Sequence, residues 1–184
     1  MGQNLPLPSV EGYQFGDAYY MTQVNLYLFG VSDNTRFYGH NHMNAYIWSE
    51  AYGRRGANNI LYFLSKYFKK RGFFLRPKFG PLYILAENCG GQNKSEDVFH
   101  FLMWLVEVHI FLCMEVIFFI KGHTKNDCDQ IFNLLKLDLH LRNIYCFEDM
   151  VHYLDKNEHF SVSPIASDEL FDFHWLLNLF YRTL

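Results

Sequence analysis

Three carboxylates stand where an α/β sheet collects its ligands. Glu87 follows directly on the apolar run Leu82–Ala86. Asp127 and Asp129 open the helical pattern that follows a second apolar run, Met114–Ile120. In open α/β sheets, ligands gather outside the carboxyl ends of the strands. Carboxylates converging there would hold Mg²⁺, a hard cation that prefers oxygen ligands. Two such ions would activate water and stabilise the leaving oxygen in phosphodiester cleavage. The same acids also suit a plainer role, because carboxylates after strands and at helix N-termini satisfy orphan backbone N–H groups. Spacing alone leaves both readings open.

Glu87 leads into Asn88-Cys89-Gly90-Gly91-Gln92-Asn93-Lys94. The glycines permit a tight turn, and the amides can bind substrate or backbone. The spacing of a P-loop is absent. His123 and Thr124, just after the second apolar run, read as rim residues beside the acids. A Cys89 nucleophile with His123 as its base is a rival arrangement. His40, His42, Cys89, His123 and Cys128 match no standard zinc spacing. Elsewhere, Lys66, Lys69, Lys70, Arg71, Arg76 and Lys78 interleave with Tyr67, Phe68, Phe73, Phe74 and Phe79. Basic groups bind phosphates and aromatic rings stack bases, so this stretch is a candidate nucleic-acid patch. The competing reading is a solvated helix end whose rings pack inward.

The elements that must position these residues are legible from periodicity. Tyr19–Val31 and Met43–Trp48 are rich in β-branched and aromatic residues and read as a hairpin. Ile60, Leu61, Phe63, Leu64, Tyr67 and Phe68 recur at helical spacing, and Gly72 is a terminator. Leu82–Ala86 and Met114–Ile120 read as buried strands. Ser95 caps a helix running to about Val108, and Asn126 or Asp127 caps the next. Ile144–Asp155 suggests a short strand and a helix, and residues 168–184 a final amphipathic helix. Helix-containing crossovers imply parallel pairing of the later strands. The expected class is α/β, a mixed sheet flanked by helices.

The bulk numbers fit one globular domain spanning 1–184, with residues 1–20 an extended leading segment and 140–184 a helical C-terminal extension. A net charge of −3 argues against a chain-wide electrostatic grip on nucleic acid, while leaving room for a local patch. Four dispersed cysteines form no disulfide framework and fit a reducing, intracellular compartment. The polar, proline-bearing N-terminus has no signal-peptide core. Val98–Ile120 is long enough to cross a membrane, but Glu107, His109 and Glu115 interrupt it. A helix followed by a strand is the expectation there, with no membrane partner.

Read together, these pieces resemble a known family. They are Asn4-Leu5-Pro6-Leu7-Pro8, Ala18-Tyr19-Tyr20 leading into Leu26–Val31, Tyr46–Glu50, Arg55-Gly56-Ala57-Asn58, Glu87–Lys94, Lys121–Asn126 with Asp129 and Phe132, and Phe171–Phe173 through Phe180–Arg182. The chain resembles an uncharacterised eukaryotic domain of transposon-derived proteins, related to the DDE transposases of the RNase H-like superfamily. That resemblance implies an RNase H-like mixed sheet opening with three antiparallel strands. It also implies Mg²⁺-dependent DNA cleavage and strand transfer as the ancestral chemistry, DNA as a partner and a nuclear location. Glu87 and Asp129 are the matching acids; Asp127 remains a candidate metal ligand by its position at the helix start alone. Asn88, Gly90, Gly91, Gln92, Asn93, Lys94, His123 and Thr124 fall at substrate-binding positions. Three departures accompany the match. The family's first acid lies on a strand just before the Leu-Pro segment, so the first strand is expected to be missing and the domain truncated. Glu87 stands where the family usually has Asp, and Asn59 where it usually has Glu. The expectation is therefore an inactive catalytic core, or a non-catalytic module that binds nucleic acid or protein.

Overall fold

The computed structural model describes residues 2–11, 23–33, 42–53, 55–75, 79–89, 92–120, 127–166 and 170–181. In chain order the elements are β1 (Gly2–Leu7), β2 (Val24–Ser32), β3 (Met43–Ser49), a 3₁₀ turn (Glu50–Tyr52), α1 (Ala57–Lys70), a second 3₁₀ turn (Phe73–Leu75), β4 (Leu82–Ala86), α2 (Glu96–Glu107), β5 (Met114–Phe118), α3 (Asp127–Leu139), α4 (Phe147–Asp155), β6 (Phe160–Pro164) and α5 (Phe173–Tyr181). They form two compact units. One comprises residues 1–54 and 125–168, the other residues 55–124 and 169–184. The protein is mixed α/β, with sheets of mixed strands flanked by helices.

The first unit is built on a four-stranded sheet in the order β1-β2-β3-β6. Strands β1, β2 and β3 form an antiparallel meander, and β6 joins β3 in parallel. The leading segment is thus a correction to the sequence reading, because Gly2–Leu7 is a paired strand and opens the meander. Leu5 and Leu7 are buried while Asn4 and Pro6 are exposed, the alternation of a half-buried strand. The sequence reading leaves this segment extended but unpaired, and Pro6 is compatible with pairing because an edge strand tolerates a residue that lacks an N–H. β6 is a second correction. A short Phe-Ser-Val-Ser-Pro segment carries little strand signal, and its pairing with β3 supplies what its own sequence lacks.

Leu26 and Leu28 of β2, Met43, Ala45 and Ile47 of β3, and Ile131, Phe132 and Leu135 of α3 share one buried cluster with Met150 and Leu154 of α4. At Gly30 the packing leaves no room for a side chain. A Cβ there would lie 2.1 Å from Met43 Sδ and 2.9 Å from Phe132 Cζ. Helices α3 and α4 are tied by polar groups at their rim. The Tyr153 hydroxyl donates to the Asp138 carboxylate, which also accepts from Arg142 Nε at 3.0 Å. Burial, reinforced by that bond, pushes the Tyr153 phenol up to about 12.

In the second unit α1 buries Ile60, Leu61, Phe63, Tyr67 and Phe68 and ends at Gly72, whose φ of +73° favours glycine. β4 and β5 pair in parallel, from Leu82 opposite Met114 to Ala86 opposite Phe118. Ser95 caps α2, its hydroxyl accepting from Val98 N at 3.3 Å. The expectation that both strands are buried is corrected, because Tyr83, Leu85 and Ile117 are exposed. The strands alternate, with Leu82, Ile84, Met114, Val116 and Phe118 on the less exposed face. α5 is docked by Asn58, whose Nδ2 donates to Phe171 O at 2.9 Å while Oδ1 accepts from Phe173 N at 2.7 Å. Phe173 then meets Phe101 edge-on. Among the described residues no helix is long and apolar enough to cross a membrane, and the stretch 98–120 contains most of α2 followed by β5.

Gly30→Ala tests the close approach in the first unit. Overpacking against Met43 and Phe132 is expected to lower stability by roughly 1–3 kcal/mol. Denaturant unfolding of the full chain measures it, with a reduced midpoint at unchanged slope as the expected result.

Candidate functional site

Glu87 is the first residue past β4 and is half-buried. Its carbonyl accepts from Asn93 Nδ2 at 3.1 Å and from Cys89 N at 2.9 Å. The Gln92 and Lys94 N–H groups both donate to Cys89 O, at 3.3 and 3.1 Å. Ser95 N then donates to Gln92 O at 3.2 Å, directly before α2. The described residues on either side of the two glycines, Glu87–Cys89 and Gln92–Ser95, are therefore hydrogen-bonded to one another between β4 and α2. Asn93 is the internal peg of this connection, a buried amide tied to the first residue past β4. The Lys94 ammonium lies 4.8 Å from the centroid of the Phe118 ring on β5. Asn88 and Cys89 face solvent. Gly90, Gly91, His123 and Thr124 lie outside the described residues.

Asp127 and Asp129 occupy the first turn of α3, where carboxylates complement the helix dipole. Between them Cys128 points inward, its thiol 3.9 Å from Gly30 O, and burial pushes that thiol up. Asp127 and Asp129 belong to the first unit, and Glu87 to the second. Among the described residues no three His, Cys, Asp or Glu side chains come together as a set able to hold a metal. The strands of the opening meander, Gly2–Leu7, Val24–Ser32 and Met43–Ser49, carry no Asp or Glu.

The basic stretch divides cleanly between surface and interior. Lys69 and Lys70 are exposed at the end of α1, and the Lys66 ammonium lies 5.1 Å from the centroid of the Tyr62 ring. Tyr67 and Phe68 are buried. Phe73 and Phe79 pack on each other and on Phe111, with ring centroids 4.9 to 6.0 Å apart. Phe74 alone of the five interleaved rings is exposed, at 38%. Of the two readings of these rings, inward packing is the one seen for all but Phe74; in α1 the helical period turns Tyr67 and Phe68 inward. Residues 51–86 contain no Asp or Glu, yet hold Arg54, Arg55, Lys66, Lys69, Lys70, Arg71, Arg76 and Lys78, half of the chain's 16 Lys and Arg. Arg76 and Lys78 lie outside the described residues.

Two asparagines at the start of α1 fall outside the expected site residues. Asn58 holds the approach to α5, and Asn59 is 8% exposed. The Arg-Gly-Ala-Asn motif pointed to the first, whereas burial of a polar residue in a first helical turn leaves no sequence signal.

Asn93→Ala separates a pegged turn from a loose one. Losing the bond to Glu87 O is expected to lower stability by about 1–3 kcal/mol. Native-state hydrogen exchange reads it locally, with faster exchange at Cys89 and Lys94 than at core amides of α2.

No curated protein and no solved structure matches the chain. Residues 19–184 match the family described as "Domain of unknown function (DUF7869)", and with most of its length covered the chain belongs to that family.

Proposed function

We propose that this is a transposase-derived, RNase H-like domain of a nuclear protein, whose ancestral Mg²⁺-dependent DNA cleavage and strand transfer this chain does not perform. The observation that carries the ancestry is the element order. An antiparallel meander of three strands is followed by helix, strand, helix, strand and helix, and the two later strands are parallel. Glu87 and Asp129 correspond to two acids of the catalytic set, with Asp127 as a third candidate Mg²⁺ ligand. The loss of activity rests on Glu87. Glu87 is one methylene longer than the Asp usual at its position, and a misplacement on the scale of ~1 Å costs about 10²-fold in rate. A nuclease assay with Mg²⁺ or Mn²⁺ tests it. No cleavage above background is expected. Cleavage that disappears in Glu87→Ala or Asp129→Ala would sink the inactive reading.

A second reading is favoured by the acid-free stretch 51–86. Here the domain is a non-catalytic module that grips nucleic-acid phosphates through Lys66, Lys69, Lys70, Arg71, Arg76 and Lys78. Such binding weakens steeply with salt, and each lost phosphate contact reduces the salt slope by about one. Charge reversal of Lys69 and Lys70 is expected to flatten that slope for a DNA duplex. Salt-insensitive binding, or none, counts against it.

A further inference from the structure

Helix α1 ends in a tight left-handed turn. Arg71 N donates to Tyr67 O at 2.9 Å and Gly72 N to Lys69 O at 3.0 Å, with Gly72 at a φ of +73°. In this kind of helix end the residue after the glycine packs back on the last turn. Here that residue is Phe73. Its ring centroid lies 5.7 Å from that of Phe68, and 4.9 and 5.2 Å from those of Phe79 and Phe111. Leu75 N then donates to Gly72 O at 3.0 Å and closes the 3₁₀ turn Phe73–Leu75. Three residues complete one turn of such a helix, so successive side chains diverge. With Phe73 turned inward, the next two residues face outward: Phe74 is 38% exposed and Leu75 84%.

A single exposed ring is ordinary by itself. Its neighbourhood sets this one apart. Lys69 and Lys70, both exposed, occupy the last turn of α1. Lys66 stands one turn earlier, at the spacing that shares a helix face. No Asp or Glu occurs in the sequence from residue 51 to residue 86. The hydrogen bond from Gly72 N to Lys69 O ties the two features together. Phe74 is two residues past that glycine, so its Cα lies within roughly 12 Å of the Lys69 carbonyl. A nucleic-acid strand covers that span with a few nucleotides, at ~3.4 Å or more each.

We propose that the end of α1 binds a single nucleic-acid strand, with an unpaired base stacked on Phe74 and the neighbouring phosphates at Lys69 and Lys70. The base contact rests on the reading of this stretch as a phosphate grip, and it selects the form of the partner. Lysines grip the phosphates of a duplex or of a single strand. A ring fixed on a surface turn reaches a base face only where that face is not already stacked, which is the case in a single strand. Every base has such a face, so no strong sequence preference is expected. Cations beside apolar side chains also suit an anionic lipid surface. Against that, the Phe74 ring is less than half exposed and presents a side instead of projecting. Leu75 alone projects, and it offers far less apolar area than an acyl chain, which by itself anchors only marginally.

Fluorescence anisotropy with the full chain and a labelled thymidine oligonucleotide is the test. An abasic strand of the same length keeps the phosphates and removes the bases. It is expected to bind about tenfold more weakly, with the salt slope unchanged. A duplex with the same number of phosphates is expected to bind more weakly than the thymidine strand. Phe74→Ala is expected to reproduce the tenfold loss on the thymidine strand and to cause no further loss on the abasic one, because both changes remove the same contact. Equal affinity of the native chain for thymidine and abasic strands overturns the proposal, whether or not any variant folds. So does duplex binding as tight as that of the single strand, or a Phe74→Ala loss that is the same on both strands. In each of these cases a salt slope that Lys69→Glu with Lys70→Glu flattens leaves the phosphate grip standing. No binding of any nucleic acid removes the grip and the base contact together. Binding to phosphatidylserine vesicles without strand binding, lost in Phe74→Ala and Leu75→Ala, gives the turn to lipid and overturns the proposal.

Discussion

The first unit depends on one close approach. At Gly30, in the second strand of the meander, the Met43 sulfur and the Phe132 ring occupy the place of a side chain. Any residue with a Cβ would require the Met43 thioether and the Phe132 ring to move. Because the helix can settle there, Ile131, Phe132 and Leu135 reach the same cluster as Leu26, Leu28 and Ile47. The seating also sets the start of α3. Cys128 comes within hydrogen-bond reach of Gly30 O, so the residues on either side, Asp127 and Asp129, are carried at the sheet's margin by a packing contact in the strand. The geometry of these acids is thus a consequence of a glycine almost a hundred positions earlier, in the manner of close-packed interiors that transmit displacement rather than absorb it.

Elements with strong local chemistry were legible in the sequence. Leu82–Ala86 has the bounds expected of it, because an apolar run between turn residues has few alternatives. Ser95 caps α2 as its position before Glu96 and Asp97 suggests. What escaped were elements defined by their neighbours. Gly2–Leu7 reads as part of an extended leading segment, yet pairs with β2 along its whole length. Phe160–Pro164 contains two serines and a proline, and is a strand because β3 offers an edge. Local propensity is weak in both, and tertiary pairing decides.

The candidate site residues divide along the same line. Glu87 at a strand end and the two aspartates at a helix start are placed by elements that periodicity reveals, so their positions were foreseeable. Their surroundings were not. Asn93 could serve substrate or backbone, and its amide donates to Glu87 O. Phe68, Phe73 and Phe79 could stack bases or pack inward, and they pack with Phe111 from beyond α2. Sequence shows which residue types are near one another along the chain. It does not show which face of a turn or ring is already taken by a distant partner.

The start of α1 shows how far that distinction reaches. Asn58 and Asn59 are the same residue type at adjacent positions, so composition cannot tell them apart. A step of one residue turns the helix by about 100°. That rotation gives Asn58 to the backbone of Phe171 and Phe173, where one amide satisfies a donor and an acceptor together. It leaves Asn59 buried, with a donor that the described residues do not satisfy. Two segments of the family resemblance, Arg55–Asn58 and Phe171–Phe173, thereby touch, and their joint presence has a structural explanation that requires no ligand. Asn59 lies one residue beyond the motif and has no such explanation. A residue accounted for by packing carries no functional information of its own.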